Sequence, residues 1–423
     1  MPELEVINNK YILIVRQSEP LKIDNENARL WRASLIHKYC NDLGLKSVYL
    51  TSTFSHYNKK QRFDKTTKLS GKENGTFVFL RTPGYKHNIS LLRFIDHLIF
   101  GIKTGFYIIK DRKKIKTIFA SHPTIEGAFV SVVLGCIFRI KVIVDVRDLW
   151  PDLYYDIIGK SLISKIFLSL ALLPYVFMTR MTFSFARYIS APTTPYLNWA
   201  DKKSFIKTAK TLIKLPFAYP DSQRINTGLR PAFLSDYKGY KVCVFIGTLN
   251  ENMFDFLSID TAVKRFNKKI VFVIAGDGSG KKTLEKYFCN DNNVIFPGWI
   301  SKNEILNLMQ YSDFALAPYI PIDNFEMHVP NKIVEYLSEG LPVIYSVKGE
   351  MELLLKDCGL RYDATANTES DLCFENVIER VLSDNSLLER LSSNAVKIFK
   401  NEFRAEIVYK NFITSFLQSS KIP

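Results

Sequence analysis

The chain has 423 residues, 47% of them hydrophobic and 23% charged, with a net charge of +15. Length alone suggests roughly two or three domains, and the composition excludes a disordered chain, which would lack the apolar area to offset the entropy of ordering. The charge is uneven: residues 1–220 hold 34 Lys and Arg against 16 Asp and Glu, whereas residues 221–423 hold 23 against 26.

The opening stretch MPELEVINN (1–9) is acidic where a secretory signal would be basic, so it reads as a polar arm ahead of a first strand and the protein as cytosolic. Short apolar runs follow at 11–15, 46–50, 76–80, 116–120, 141–146 and 187–191. Between them lie stretches of helical period such as 28–44, with Leu30, Ala33, Leu35, Ile36, Tyr39 and Leu43 on its inner face and Gly44 as its stop. Segment 161–188 contains 13 uncharged, mostly apolar residues (166–178), interrupted by Pro174 and too short to cross a bilayer. It reads as buried helices or, with Lys160, Lys165, Arg180 and Arg187 around it, as a surface helix dipping into a leaflet. Residues 193–240 lack a period and are rich in Thr, Pro, Lys and Ser, as a connection between domains would be. Apolar runs restart at 242–247, 269–276, 293–298, 313–318 and 341–346, and 373–418 reads as helices.

Apolar strands alternating with helices predict an α/β protein with two doubly wound, Rossmann-like domains. Ligands of such sheets bind outside the carboxyl ends of the strands, between facing domains. The basic first half predicts a polyanionic partner. Nucleic acid and an anionic membrane surface are the candidates, beside a merely solvated basic surface, and no helix-turn-helix, RNP-like or zinc pattern supports nucleic acid. The six cysteines, Cys40, Cys136, Cys243, Cys289, Cys358 and Cys373, form no C-x-x-C pair and read as reduced thiols.

The most informative segment is VPNKIVEYLSEGLPVIYS (329–346). Pro330 forces extended backbone, Asn331 is a helix N-cap, and Ile333, Val334 and Leu337 form a buried side ending at Gly340. The amino end of such a helix presents free N–H groups and a positive dipole to a phosphate. Lys332 adds charge there, and Glu335 on the same face could accept two hydrogen bonds from a ribose diol; taken alone, the two also fit a surface ion pair. No Asp-x-Asp pair occurs to hold a divalent ion on a diphosphate, so no metal is expected.

This segment resembles the signature helix of the group 1 glycosyltransferases (glycosyltransferase family 4, GT-B fold). Segments 242–257, 271–288 (with Gly-Asp-Gly at 276–278) and 294–319 resemble that family's donor domain in order and spacing. The resemblance implies a nucleotide-sugar donor with Trp299 and Ile300 at the base, Glu335 at the ribose, and Gly247, Thr248, Gly278 and Pro330, Asn331, Lys332 and Ile333 around the diphosphate. Two departures stand out. The position eight residues before Glu335 is Met327 rather than the family's first Glu, with Glu326 one residue off. The Arg and Lys that many members place after the first donor-domain strand are replaced by residues 249–253, Leu-Asn-Glu-Asn-Met.

In the first half, Arg29 and Arg32 stand near a helix start after strand one, and Arg81, Tyr85, Lys86, His87 and Arg93 follow strand three. His122, Arg147 and Asp148 lie at later strand ends. Each group also fits solvated helix starts, or a structural Arg147–Asp148 pair. As a set, 25–62, 81–97 and 144–152 resemble the amino-terminal domain of the branch that builds bacterial O-antigen and capsule repeats on a lipid carrier. The family's usual Gly-Gly turn is absent, with Asn27 and Arg29 in that region. The resemblance implies transfer of an N-acetylated amino sugar from a UDP-sugar co-substrate, without a cofactor, to a polyprenyl-diphosphate-linked saccharide. The enzyme would sit peripherally on the inner face of the cell membrane.

The expected division is 1–215 for the acceptor, 216–240 as linker, 241–400 for the donor and a helix in 401–423 crossing back. Asn27, Arg32, Arg81, Tyr85 and Arg147 are the acceptor-binding candidates. Arg29 and Lys332 would meet the leaving diphosphate, and Asp148, with His122 as second choice, the acceptor hydroxyl. A non-hydrolysing UDP-sugar 2-epimerase and a catalytically degenerate sugar-nucleotide-binding subunit are the alternatives.

Overall fold

The structure, a computed structural model, describes residues 10–418 except Asn27, 72–74, Ile89, 159–161, 207–208, 222–229 and 367–369. The acidic opening arm, Asn27 and Lys160 therefore lie outside the described residues. The chain divides into two compact units, residues 1–216 with 405–423, and residues 217–404.

The first unit is built on eight strands. β1 (Tyr11–Val15), β2 (Ser47–Ser52), β6 (Gly75–Leu80), β7 (Ile115–His122), β8 (Lys141–Val146), β9 (Tyr188–Ala191) and β10 (Thr211–Lys214) run parallel, in the order β10-β9-β8-β7-β1-β2-β6. β5 (Thr67–Ser70) adds antiparallel to β6 at the edge, and β3 (Phe54–Ser55) pairs with β4 (Lys60–Gln61) in a small hairpin. Every residue of β1 and β2 is buried, which is why β1 is a continuous apolar run rather than an alternating one, while β2 buries Ser47, Thr51 and Ser52 along with its apolar centre.

The helices of this unit are α1 (Arg32–Asp42), α2 (Leu91–Asp111), α3 (Ile125–Phe138), α4 (Leu153–Ile158), α5 (Leu162–Phe185) and α6 (Thr194–Lys203). α1 starts later than the period suggests, and Leu43 is exposed beyond its end instead of joining the inner face. α2 opens at Ser90, whose hydroxyl accepts the Arg93 N–H. α5 runs unbroken through Pro174, contrary to the interruption expected there. Its window Leu168–Phe185 is long and apolar enough to cross a membrane by length and composition, a correction to the sequence reading. The terminal helix Ala405–Phe412 belongs to this unit: Tyr409 meets Tyr39, Phe412 meets Phe119, and the Thr117 hydroxyl donates to the Leu417 carbonyl.

The second unit has six parallel strands, β11 (Lys241–Ile246), β12 (Ile270–Ala275), β13 (Val294–Gly298), β14 (Phe314–Ala317), β15 (Val343–Tyr345) and β16 (Gly359–Arg361), ordered β13-β12-β11-β14-β15-β16. Its helices include α7 (Asp260–Arg265), α8 (Lys281–Tyr287), α9 (Lys302–Gln310), α10 (Asp323–Glu326), α11 (Asn331–Ser338), α12 (Glu350–Leu355), α13 (Phe374–Ser383) and α14 (Asn385–Ile398). The strand order reverses at β11/β14, the kind of place where open α/β sheets bind ligands.

Residues 193–240 are not a free connection. Their first part forms α6 and β10 of the first sheet. From Phe217 onward the chain packs into the second unit, with the Tyr219 N–H on the Phe403 carbonyl and Leu234 fully buried. Apolar anchors among the polar residues are what turn this stretch into structure.

Candidate functional site

In the second unit the site is assembled from two glycine turns and one helix. β11 and β12 are paired through Ile246 and Ala275, and the chain leaves both strands at glycines, Gly247 (φ +155°) and Gly276 (φ +146°). A Cβ on Gly276 would fall 1.8 Å from the Gly247 carbonyl oxygen, so the turns approach each other to a degree only glycine allows. Backbone bonds continue the pairing outward, from Leu249 N–H to Asp277 carbonyl and from Gly276 N–H to Gly298 carbonyl. Gly278 and Thr248 are exposed on these turns.

α11 points its first turn toward this glycine edge. Pro330, in extended conformation, is the N-cap and Asn331 the first helical residue, without a side-chain cap. Asn331 is therefore not the cap expected of it; proline's fixed φ sets the entry, and Pro330 makes no side-chain bond to the first N–H groups. Ile333, Val334, Tyr336 and Leu337 bury the helix, and the Ile246 N–H donates to the Tyr336 hydroxyl at 2.9 Å, tying α11 to the end of β11.

Lys332 runs beneath the turn. Its amine lies 4.0 Å from the Phe245 ring centre, 4.3 Å from Phe254 and 5.6 Å from Tyr319, and a Cβ on Gly247 would sit 2.5 Å from it. The ring faces attract the cation, while burial lowers its pKa to about 7, with Glu335 pulling the other way. Glu335 is half-buried one turn along. At the end of β13, Trp299 is 76% exposed and Ile300 is buried. A cavity of about 740 Å³ opens on the carboxyl side of the same sheet, lined by Phe254, Phe256, Tyr287, Ile320, Glu326 and Arg361 among others; neither Glu335 nor Trp299 lines it.

The first unit treats its candidates differently. Arg32 is buried, its guanidinium donating to Asp145 at 2.7 Å and to the Leu215 carbonyl at 2.5 Å. Arg147 is buried against Glu19. Both were expected to bind acceptor, and both are instead held in internal ion pairs. His122 is fully buried among Phe183 and Trp199, and burial lowers its pKa to about 3, so it is a neutral core histidine rather than a catalytic base. Tyr85 is also buried, its hydroxyl on His56 Nδ1 at 2.6 Å, and Arg81 is engaged by the Asp64 and Thr82 carbonyls. These contacts fix the loop after β6 and leave Tyr85 without an open face for acceptor.

Arg29 is half-buried ahead of α1. Asp148, just past β8, is exposed; burial of its surroundings raises its carboxyl pKa, while Arg16, Arg147 and Arg93 pull it back down. The alternative reading of a structural Arg147–Asp148 pair gives way to an Arg147–Glu19 pair.

Sequence reasoning missed Glu19, the hub beneath these strand ends. It accepts the Ala33 and Ser34 N–H groups that open α1, the Ser34 hydroxyl and the Tyr49 hydroxyl, besides Arg147. Burial works against its charge, but Arg147 and Arg16 hold its pKa below the ordinary carboxylate value. The only available signal was its place as the first acidic residue after β1. The cage of Phe245, Phe254 and Tyr319 was also missed, because it joins three separated segments.

Residues 240–384 match the family model described as glycosyl transferases group 1. None of the curated proteins matches the chain in sequence. Among solved structures, Anabaena HepE in complex with UDP and glucose is similar at a TM-score of 0.62 and 14% identity, covering 97% of this chain and 100% of its own. Sucrose-phosphate synthase from Thermosynechococcus elongatus gives 0.65 and 12%, covering 97% and 98%. WaaG, a glycosyltransferase involved in lipopolysaccharide biosynthesis, gives 0.62 and 13%, covering 96% and 99%. The two-domain α/β fold is thus that of the GT-B glycosyltransferases, with the match to the group 1 model confined to residues 240–384 of the second unit.

Proposed function

We propose that this protein transfers a sugar, an N-acetylated amino sugar or derivative, from a UDP-sugar to a polyprenyl-diphosphate-linked saccharide in the synthesis of a bacterial surface polysaccharide such as O-antigen or capsule. It would act on the cytoplasmic face of the cell membrane. The observation that carries the donor half is the Lys332 amine beside Gly247 at the uncapped start of α11, with Glu335 one turn on. The Anabaena neighbour was crystallised with UDP, and another neighbour takes part in lipopolysaccharide biosynthesis, which supports the choice of donor and pathway.

In the transfer, the bond from the anomeric carbon to the diphosphate breaks and a bond to the acceptor oxygen forms. Charge grows on the leaving diphosphate, where the Lys332 ammonium and the α11 N–H groups stabilise it without a metal or cofactor. Lys332 so replaces the cationic pair missing after β11. Arg29 is the candidate for a second cation. Asp148, exposed and with its proton affinity raised, is the candidate to orient or deprotonate the acceptor hydroxyl.

Glu335→Ala removes charged hydrogen bonds to the ribose worth about 1.5–3 kcal/mol, hence tenfold or more in UDP affinity by calorimetry. Unchanged affinity would refute the ribose assignment. Incubation with UDP-N-acetylglucosamine, followed by NMR with and without a lipid-linked saccharide, tests the reaction class. A new glycosidic linkage supports transfer; a 2-epimer formed without acceptor, or binding without turnover on any lipid acceptor, overturns it.

A further inference from the structure

Two helices of the first unit carry apolar stripes that no other described residue covers. On α2 the stripe is Leu91, Ile95, Leu98, Ile102, Phe106 and Ile109, spaced three and four residues apart on one face, with Leu91 75% and Phe106 68% exposed. The opposite face, with Phe100, Thr104 and Ile108, is buried. On α5 a matching stripe runs through Ile166, Leu170, Leu173 and Phe177, with Leu170 67% exposed. α3 packs against both helices, and a groove lined by Ile102, Phe106, Val130 and Leu134 joins its surface to that of α2. Neither stripe contains a charged residue. Isolated exposed leucines are ordinary; ten large apolar side chains in two rows, one on each helix, are not.

The charges that border this surface identify what covers it. Lys110 in the last turn of α2, Arg112, Lys113 and Lys114 past its end, and Arg139 past α3 are all exposed. The nearby carboxylates face inward: Asp96 and Glu126 are buried, and Asp111 accepts from the Tyr11 hydroxyl. A second copy of the chain would set one basic rim against another. An anionic leaflet would meet that rim with opposite charge, each lysine or arginine adding to the attraction.

α5 does not cross the bilayer in this arrangement, because one of its faces, with Leu172, Thr179, Thr182 and Phe183, is buried in the protein. Both helices would lie along the interface with their outer rows among the acyl chains. We propose that the α2–α3–α5 surface docks the first unit on an anionic lipid leaflet, Phe106 and Leu170 entering the hydrocarbon boundary and Lys110–Lys114 meeting the headgroups. The surface deepens the reading given above and rests on it for the lipid-linked acceptor.

The test uses the full chain and floating vesicles of phosphatidylcholine with or without phosphatidylglycerol. The wild type should float with the anionic vesicles, and Ile102→Glu/Phe106→Glu should lower binding at least tenfold at an unchanged circular-dichroism melt. Lys113→Ser/Lys114→Ser should weaken binding to the anionic vesicles severalfold and leave the weak binding to neutral ones as it was. Phe106→Trp should add quenching by bromine-labelled lipid over that of the wild type. Equal flotation of the double-glutamate variant, or no added quenching, would overturn the proposal. So would a concentration-dependent dimer in sedimentation that the same two glutamates abolish, since the cover would then be a second copy. Vesicle binding needs no sugar donor, so its failure leaves the UDP result standing, and a failed UDP experiment leaves this one intact.

Discussion

The two units place positive charge at their strand ends in opposite ways. In the first, Arg32 is closed on Asp145 and Arg147 on Glu19, each pair buried and fixed by further hydrogen bonds. In the second, the Lys332 ammonium faces aromatic rings beneath a glycine turn, without a carboxylate bonded to it among the described contacts. A guanidinium already neutralised by a buried partner has little field left for a ligand. An ammonium held by rings has no bonded carboxylate to cancel its field, while burial brings its titration down to about pH 7. Strand-end position therefore predicts a functional cation only where no internal carboxylate takes it first.

The largest effect that tests this contrast is at Arg32. Arg32→Ala leaves the Asp145 carboxylate buried with Ser190 as its remaining described hydrogen-bond partner and the Arg147 charge shared with Glu19, at a cost of about 3–5 kcal/mol in urea denaturation. Restoring a neutral, packed pair with Arg32→Met/Asp145→Leu should recover most of that loss. If Arg32→Ala instead unfolds like the wild type and only raises KM for the acceptor, Arg32 is a ligand and the contrast between the units fails.

That contrast also marks what the sequence could show. The inner strands were legible as apolar runs, and α11 because a proline, a lysine, a glutamate and a glycine lie within a dozen positions; β10, with Ile213 alone buried, and the edge strand β5, with none of its residues buried, carry no such run. Arg32 and Asp145 are 113 residues apart, and Arg147 and Glu19 are 128 apart, so no local pattern joins them. Position at a strand end put the arginines at the right level of the sheet but could not show that each had a buried partner. α2 was hidden for another reason. Its buried face carries Asp96, His97 and Thr104 beside Phe100 and Ile108, while its leucines, Ile95, Ile102, Ile109 and Phe106 face outward, so polarity does not tell which face packs.

The next effect is in the pH dependence of donor binding. With the free Lys332 amine titrating near pH 7, a UDP-sugar, whose diphosphate does not titrate there, binds the ammonium form. Its affinity should be flat below about pH 7 and fall by up to about tenfold per unit above it, with a proton taken up on binding. The sign for stability is the reverse. Between pH 7 and the ordinary lysine range the unfolded chain binds one more proton than the folded one, so stability gains as pH rises through that window. Lys332→Met should remove both trends together. Calorimetry in two buffers of different ionisation heat reads the first, and urea midpoints from pH 7 to 9 the second. A wild-type affinity that stays flat to pH 9 would mean that the caged ammonium does not serve the diphosphate.

The smallest expected effect sits at Tyr336. Its hydroxyl accepts the Ile246 N–H and is a single neutral strut between α11 and the strand that leads into Gly247. Tyr336→Phe keeps the ring packed and removes that acceptor, costing about 0.5–1.5 kcal/mol of stability. Donor affinity should move less than about threefold, because the glycine turns and the buried face of Ile333, Val334 and Leu337 still fix the helix end. A loss of donor affinity beyond tenfold, with stability nearly unchanged, would instead show that one hydroxyl aims the α11 amino end. The second unit would then depend on a buried polar contact as much as the first depends on its ion pairs.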